Sequence, residues 1–411
     1  MLVAATFISC VWAAKNLAVF HAKPSLDFLD RVLNSDGTVR AKSLHLPDIL
    51  TFDDQTHILI WDGDDAQLDR MRNHPDVAHL ESDQIVRIQP FNTKTAAIGI
   101  RNAYRELDVI EPVKTAATNS TIVTQTNTAG WGLPRIAQRN LPIQKQYTYV
   151  SSAGAGVYVY VVDTGINTAH RDFGGRATWG TTTTAGNVRT DDNGHGTLVA
   201  GIIGGTVYGV AKNTSLVAVK ALDKDGSGTV SDMLYGLQYV IQQKQKNPSR
   251  KMLANLSLGT KKSTALNQAI EAMARAGIAM VAAAGNGNDQ GIGQNACNYS
   301  PASSQNAITV GATDQYDRLA PFSNYGQCVN LFAPGVGVTS TYIGSTTATN
   351  TESGTSFSCP YTAGIVALLL GESQVNMSPA DILSNITSLA TSNVVLGLGS
   401  TRSPNLLAYN G

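Results

Sequence analysis

Residues 157 to 163 read VYVYVVD, an unbroken β-branched and aromatic run of the kind that a strand covered on both faces requires. From there the chain alternates between two periods. LVAGIIGG (198 to 205) predicts a helix, SLVAVKAL (215 to 222) a strand, VSDMLYGLQYVIQQK (230 to 244) a helix, MLANLSL (252 to 258) a strand, STALNQAIEAMARAG (263 to 277) a helix and IAMVAAAG (278 to 285) a strand. Such alternation predicts an α/β unit, a parallel sheet with helices on both faces, whose sites form where strands end at their carboxyl side. Behind GTSFSCP (354 to 360), the apolar run from Thr362 to Leu370 predicts one more helix, with Pro360 tolerated in its first turn.

Upstream the pattern differs. THILIW (56 to 61) reads as a strand, DDAQLDRMRNH (64 to 74) as a short helix ending before Pro75, and DVAHLESDQIVRI (76 to 88) as one or two strands, so residues 14 to 90 form a small α+β unit. Residues 91 to 122 lose this periodicity, and the tract TAATNSTIVTQTNTAG suggests an exposed linker. Residues 123 to 411 carry the α/β alternation. The opening MLVAATFISCVWA (1 to 13) reads as a signal peptide, although its start lacks a Lys or Arg. No later window approaches 18 uninterrupted apolar residues, so no membrane partner is expected for the mature chain.

Composition narrows the picture a little further. At 411 residues, 43% apolar and 15% charged, the chain should hold more than one folded unit. Its 30 basic residues balance 30 acidic ones, which disfavours nucleic acid as a partner. Of four cysteines, Cys10 would leave with the signal, and the remaining three leave one unpaired. Cys297 and Cys328 enclose a loop short enough for a bridge. Sequons at Asn213, Asn298, Asn376 and Asn385 agree with a secretory route.

Four polar residues stand where α/β elements begin or end. Asp163 closes VYVYVVD, where a ribose-binding acid, a metal ligand or a turn residue are all possible. His195 opens an apolar helix and is one of only two histidines after residue 120. Asn286 follows AMVAAAG, where a turn asparagine is the plain reading. Ser356 precedes an apolar helix and could simply cap it. Together, however, they give the order Asp…His…Ser, with an amide between, that marks one of the convergent serine-hydrolase arrangements.

VVDTGIN, HGTLVAG, AAAGN and GTSFSCP resemble the aspartate, histidine, oxyanion-asparagine and serine blocks of the subtilases, in the proteinase K and aqualysin branch. The likeness extends from QTN and WGLPRI near residue 131, through NYSPAS and FSNYG, to LLAYN at the end of the sequence. It implies a subtilisin-like three-layer fold with a parallel central sheet and a monomeric serine endopeptidase acting on proteins and peptides. It further implies Asp163, His195 and Ser356 as catalytic triad and Asn286 as oxyanion donor. An extended substrate would lie along Gly226, Ser227 and Gly228 on one side and Leu256 to Gly259 on the other, with Leu258, Gly259, Ala283, Ala284 and Gly285 lining the pocket before the cut. No acidic side chain but Asp225 occurs in those stretches, so broad or apolar specificity is expected.

Residues 14 to 90, RNHPDVAHLESDQIV above all, are similar to the family's ferredoxin-like inhibitory propeptides. That likeness implies an autoprocessed zymogen, cut near residues 119 to 124 or near 90 to 97, and then secreted or delivered to a lytic vacuole. It also implies a Cys297–Cys328 disulfide with Cys359 free. No cofactor is expected for the chemistry; the family's calcium site would draw on Gln305 and Ala307, but Asn330 stands where a carboxylate would, so no metal is assigned. Three positions depart from the pattern: Phe357 and Ser358 replace the usual Met-Ala, and Leu198 replaces a common histidine. The alternatives are an inactive peptide-binding homologue, and an α/β-hydrolase esterase, which the missing second glycine of the G-x-S-x-G elbow and the triad order oppose.

Overall fold

The computed structural model describes residues 15–33, 49–88, 113–114 and 121–411. The signal-like stretch and most of the expected linker lie outside them. The chain divides into two compact units, Met1–Asp83 and Gln84–Gly411.

The smaller unit is an antiparallel sheet of four strands, ordered Ile49–Asp53, Thr56–Trp61, Asn16–Phe20, Val77–Ser82, with helices Leu26–Leu33 and Asp65–Arg72 between them in the chain. This βαββαβ order is the ferredoxin-like arrangement. Phe20, Phe28, Leu29, Leu59, Trp61 and Met71 make its core. The second helix begins with a capping box in which Asp64 and Gln67 satisfy each other's backbone amides.

The larger unit is built on a sheet of nine strands. Its order is Ala177–Thr182, Ser215–Lys220, Val157–Asp163, Lys251–Leu256, Ala279–Ala283, Ala307–Thr313, Leu331–Pro334, Leu406–Leu407, Thr391–Ser392. Every pairing is parallel except the last. In Val157–Asp163, alternate side chains serve opposite faces. Val157, Val159 and Val161 enter the main core with helices His195–Gly204 and Thr355–Glu372. Tyr160 and Val162 meet the other side, where Tyr160 packs edge-on against Tyr239, and Gly236 leaves room for Val162 on helix Val230–Lys246. The α/β layering expected from the alternation is therefore present.

One expectation fails. The end of the Thr/Asn-rich tract is not linker: Thr121–Thr126 is a strand, paired at its start with Val113–Lys114 and from Ile122 to Thr126 with Gln146–Val150. Ile122, Val123 and three threonines favour extended backbone, and a partner 20 to 28 residues away decided the matter.

Candidate active site

Asp163 ends its strand fully buried. Its Oδ1 accepts the Thr164 amide at 2.7 Å and meets His195 Nδ1 at 2.8 Å. The loop before His195 is tied down by a second buried carboxylate, Asp191. Asp191 Oδ1 accepts the Asn193 and Gly194 amides and the Thr164 hydroxyl, while Oδ2 accepts the Thr197 amide and hydroxyl. Two glycines have steric reasons: a Cβ on Gly196 would lie 2.1 Å from the Gly165 carbonyl oxygen, and Gly194, at φ 108°, would meet the Tyr342 ring at 2.4 Å.

Ser356 is not a cap. The N-cap of its helix is Gly354, and the Ser356 hydroxyl donates instead to the Ser257 carbonyl at 3.0 Å. Nor does Pro360 sit in the first turn of Thr355–Glu372; it is the sixth helical residue, where it removes the N–H that would bond the Ser356 carbonyl four residues back. That carbonyl accepts the Ser257 hydroxyl at 2.7 Å in its place. Asn255 Nδ2 donates to Ser257 Oγ, and the Cys359 thiol donates to Asn255 Oδ1, so strand Lys251–Leu256 and the start of the Ser356 helix are laced together.

Asn286 faces the same helix start. Its Oδ1 accepts both the amide and the hydroxyl of Thr355 at 2.8 Å, which turns the Nδ2 end the other way. A Cβ on Gly354 would sit 3.0 Å from that nitrogen. Gly285, at φ 104°, makes the turn and donates its amide to Thr355 Oγ1.

Of the expected substrate-binding residues, Gly226, Ser227, Gly228 and Gly259 flank a segment of the chain itself. Ile85–Arg87 pairs antiparallel with Ser227–Thr229, Arg87 and Gly259 exchange both backbone hydrogen bonds at 3.1 Å, and the Ile88 amide donates to the Gly226 carbonyl. Val86 is fully buried there. Strand Ser227–Thr229 is held firm because Thr229 caps helix Val230–Lys246 in a box with Asp232. Leu258, Ala283 and Ala284 are buried, and the last two lead directly into the Gly285 turn.

His195 is also packed against Phe357, ring centroids 5.3 Å apart, so this departure from the family pattern borders the imidazole itself. Ser358 donates to the Ala333 carbonyl, and Leu198 is core. Burial alone would lower the His195 pKa; the charge and hydrogen bond of Asp163, with the charges of Asp191 and Glu352, outweigh it and raise the pKa above the usual 6.5. Glu352, in turn, is raised by burial, against the pull of His195 and a bond from Asn350.

Cys297 and Cys328 are disulfide-bonded, and Cys359 is free and buried. At the expected calcium position, Asn330 Oδ1 accepts the Thr309 amide. Among the described residues no helix is long and apolar enough to cross a membrane. Asp191, Asn255, Thr355 and Glu352 were not expected from sequence, and Ser257 was expected only as part of the NLSLG stretch; of the first four, Asp191 had a local signal in its place in DDNGHGT.

Residues 154–403 match the profile of the Subtilase family. The chain is 44% identical over 300 residues to a subtilisin-like serine protease of Rhodotorula mucilaginosa, covering 69% of this chain and 86% of that one. It is 43% identical over 346 residues to an extracellular serine proteinase of a Thermus species, covering 84% and 73%. A crystal structure of a cold-adapted subtilisin-like serine proteinase superposes with TM-score 0.63 at 41% identity, over 70% of this chain and 99% of that one. The chain therefore belongs to the subtilase family. It is a serine endopeptidase with a subtilisin-like fold, acts on protein substrates, and needs no cofactor for catalysis.

Proposed function

We propose that this chain is a secreted endopeptidase, made as a zymogen, in which Ser356 attacks the scissile carbonyl, His195 carries the proton and Asp163 holds the imidazole. The observation that carries this reading is the 2.8 Å contact of His195 Nδ1 with buried Asp163. With Nδ1–H donated to the carboxylate, the lone pair of Nε2 is left to take the hydroxyl proton. The hydroxyl rests on the Ser257 carbonyl and turns to the imidazole when substrate binds. As the Oγ–C bond forms, His195 becomes imidazolium; it then protonates the leaving amine as the C–N bond breaks. Water repeats the sequence to release the acyl group. The oxyanion is met by Asn286 Nδ2 and by the Ser356 N–H in the first turn of its helix.

Specificity before the cut is proposed to be broad or apolar. Backbone groups of Gly226, Ser227, Gly228 and Gly259 hold the substrate regardless of its side chains, and Leu258, Ala283, Ala284 and Gly285 line the pocket. Residues 14 to 90 are proposed as inhibitory propeptide. The pairing of residues 85–88 with the strands assigned to substrate supports this, and it favours processing near residues 90 to 97 over 119 to 124, where strand Thr121–Thr126 is already paired.

Purified protein should digest casein and a short ester, and Ser356→Ala should do neither. The N-terminus of the active form should fall between residues 90 and 97. A wild-type protein that binds peptides but cuts none would instead be the inactive homologue.

A further inference from the structure

We propose that Glu352 is a specificity-determining residue of this enzyme, favouring substrates with a positively charged side chain just after the scissile bond. The inference rests on the proposed roles of Ser356 and His195. Three carboxylates act on the imidazole: Asp163, Asp191 and Glu352. The first two are 0% and 4% exposed, whereas Glu352 is only half-buried. It ends strand Thr349–Glu352, paired with Val338–Thr341, two residues before Gly354 and the Ser356 helix. Asn350, on the same strand face, donates to Glu352 Oε1 at 2.8 Å and fixes the carboxylate's direction, leaving acceptor capacity for a ligand. Tyr342 lies within the field of Glu352, bonds the Asn193 carbonyl through its hydroxyl, and packs over Gly194 beside His195. Asn350, Glu352 and Tyr342 thus form a polar, acidic border to the imidazole.

The direction of the substrate assigns that border. Residues 85–88 run from Val230 and Thr260 toward Gly226, where Ile88 approaches the neighbourhood of Asn193. A substrate strand running the same way covers Ser227–Thr229 and Gly259 with residues before the cut. On this proposal the residues on the leaving side of the scissile bond pass His195 beyond those strands, toward Glu352, the least buried of the three carboxylates that act on the imidazole. An ammonium or guanidinium group in the first or second residue after the cut meets an unneutralised acid, and a carboxylate in that place is repelled.

The test uses processed enzyme and matched peptides that differ only in Lys, Gln or Glu at the first and second positions after the cut. Wild type should cut the Lys peptide about fivefold or more faster than the Glu peptide in kcat/KM at low salt, with the contrast shrinking in 1 M salt. Glu352→Gln should abolish the contrast and Glu352→Lys should invert it. Equal cutting of Lys and Glu peptides by wild type, or a contrast that survives Glu352→Gln, overturns the proposal. Failure of wild type to cut any peptide would overturn the reading of the site beneath it, a separate result.

Discussion

The Cys359 thiol lies one turn beyond Ser356 and donates to Asn255, whose amide in turn holds Ser257 against the Ser356 carbonyl. Burial pushes its pKa up, so it should stay unmodified by iodoacetamide in the folded enzyme and react after denaturation, as mass spectrometry would show. Cys359→Ala leaves the Asn255 oxygen unpaired and should cost about 1–3 kcal/mol by denaturant unfolding; Cys359→Ser, which keeps a donor, should cost less. His195 makes a prediction of the other kind. Its pKa is raised, and the proposed mechanism uses the neutral ring, so activity should be lost as pH falls through a value above 6.5. Asp191→Asn removes one of the charges that raise it, so the acid limb of kcat/KM should move to lower pH. A limb that stays in place would show that Asp191 acts by shaping the loop alone.

At the scale of elements, the start of the Ser356 helix has three features with one effect. Gly354 caps without a side chain, Pro360 frees a carbonyl, and Asn286 grips Thr355, so the helix end is held from two neighbouring strands. Gly354→Ala would press a methyl against Asn286 Nδ2, 3.0 Å away, in backbone that alanine tolerates. We expect kcat to fall at least about tenfold with KM nearly constant, because in the proposed mechanism the displaced amide serves the transition state and not the bound substrate. The same elements show what sequence could and could not reveal. Strand and helix positions were legible because burial leaves a period in the chain, as in VYVYVVD. The Ser257 and Asn255 bonds were not, because their partners lie 99 and 104 residues away. Strand Thr121–Thr126 was hidden for a related reason: its polar composition looked like linker, and most of its ladder comes from the distant strand Gln146–Val150.

Over the larger unit, long-range ties secure loops that the sheet itself does not reach. Arg135, fully buried, clasps Asp317 through two hydrogen bonds of 2.6 and 2.9 Å across 182 residues. Nothing in the sequence near either residue announces the pair, whereas a Cys297–Cys328 bridge could at least be narrowed by counting cysteines. That bridge closes a separation of 31 residues and lies in the segment that includes Tyr299–Ser300, which pairs with Thr260–Lys261 just beyond Gly259. Its main effect should be on the unfolded chain, whose freedom it restricts, and for a loop of this length that amounts to about 3–4 kcal/mol. The proposed Asp163, His195 and Ser356 constellation hangs on the sheet and two helices, none of which contains either cysteine. The double variant Cys297→Ser, Cys328→Ser should therefore keep its kcat/KM at 25 °C within about twofold, while its calorimetric midpoint drops by roughly 10 °C. An unchanged midpoint would mean that this loop is already ordered in the unfolded ensemble or held by other contacts. A large loss of kcat at unchanged stability would mean that the bridge reaches the substrate strand through Thr260, and that the site is less independent of the loop than its geometry indicates.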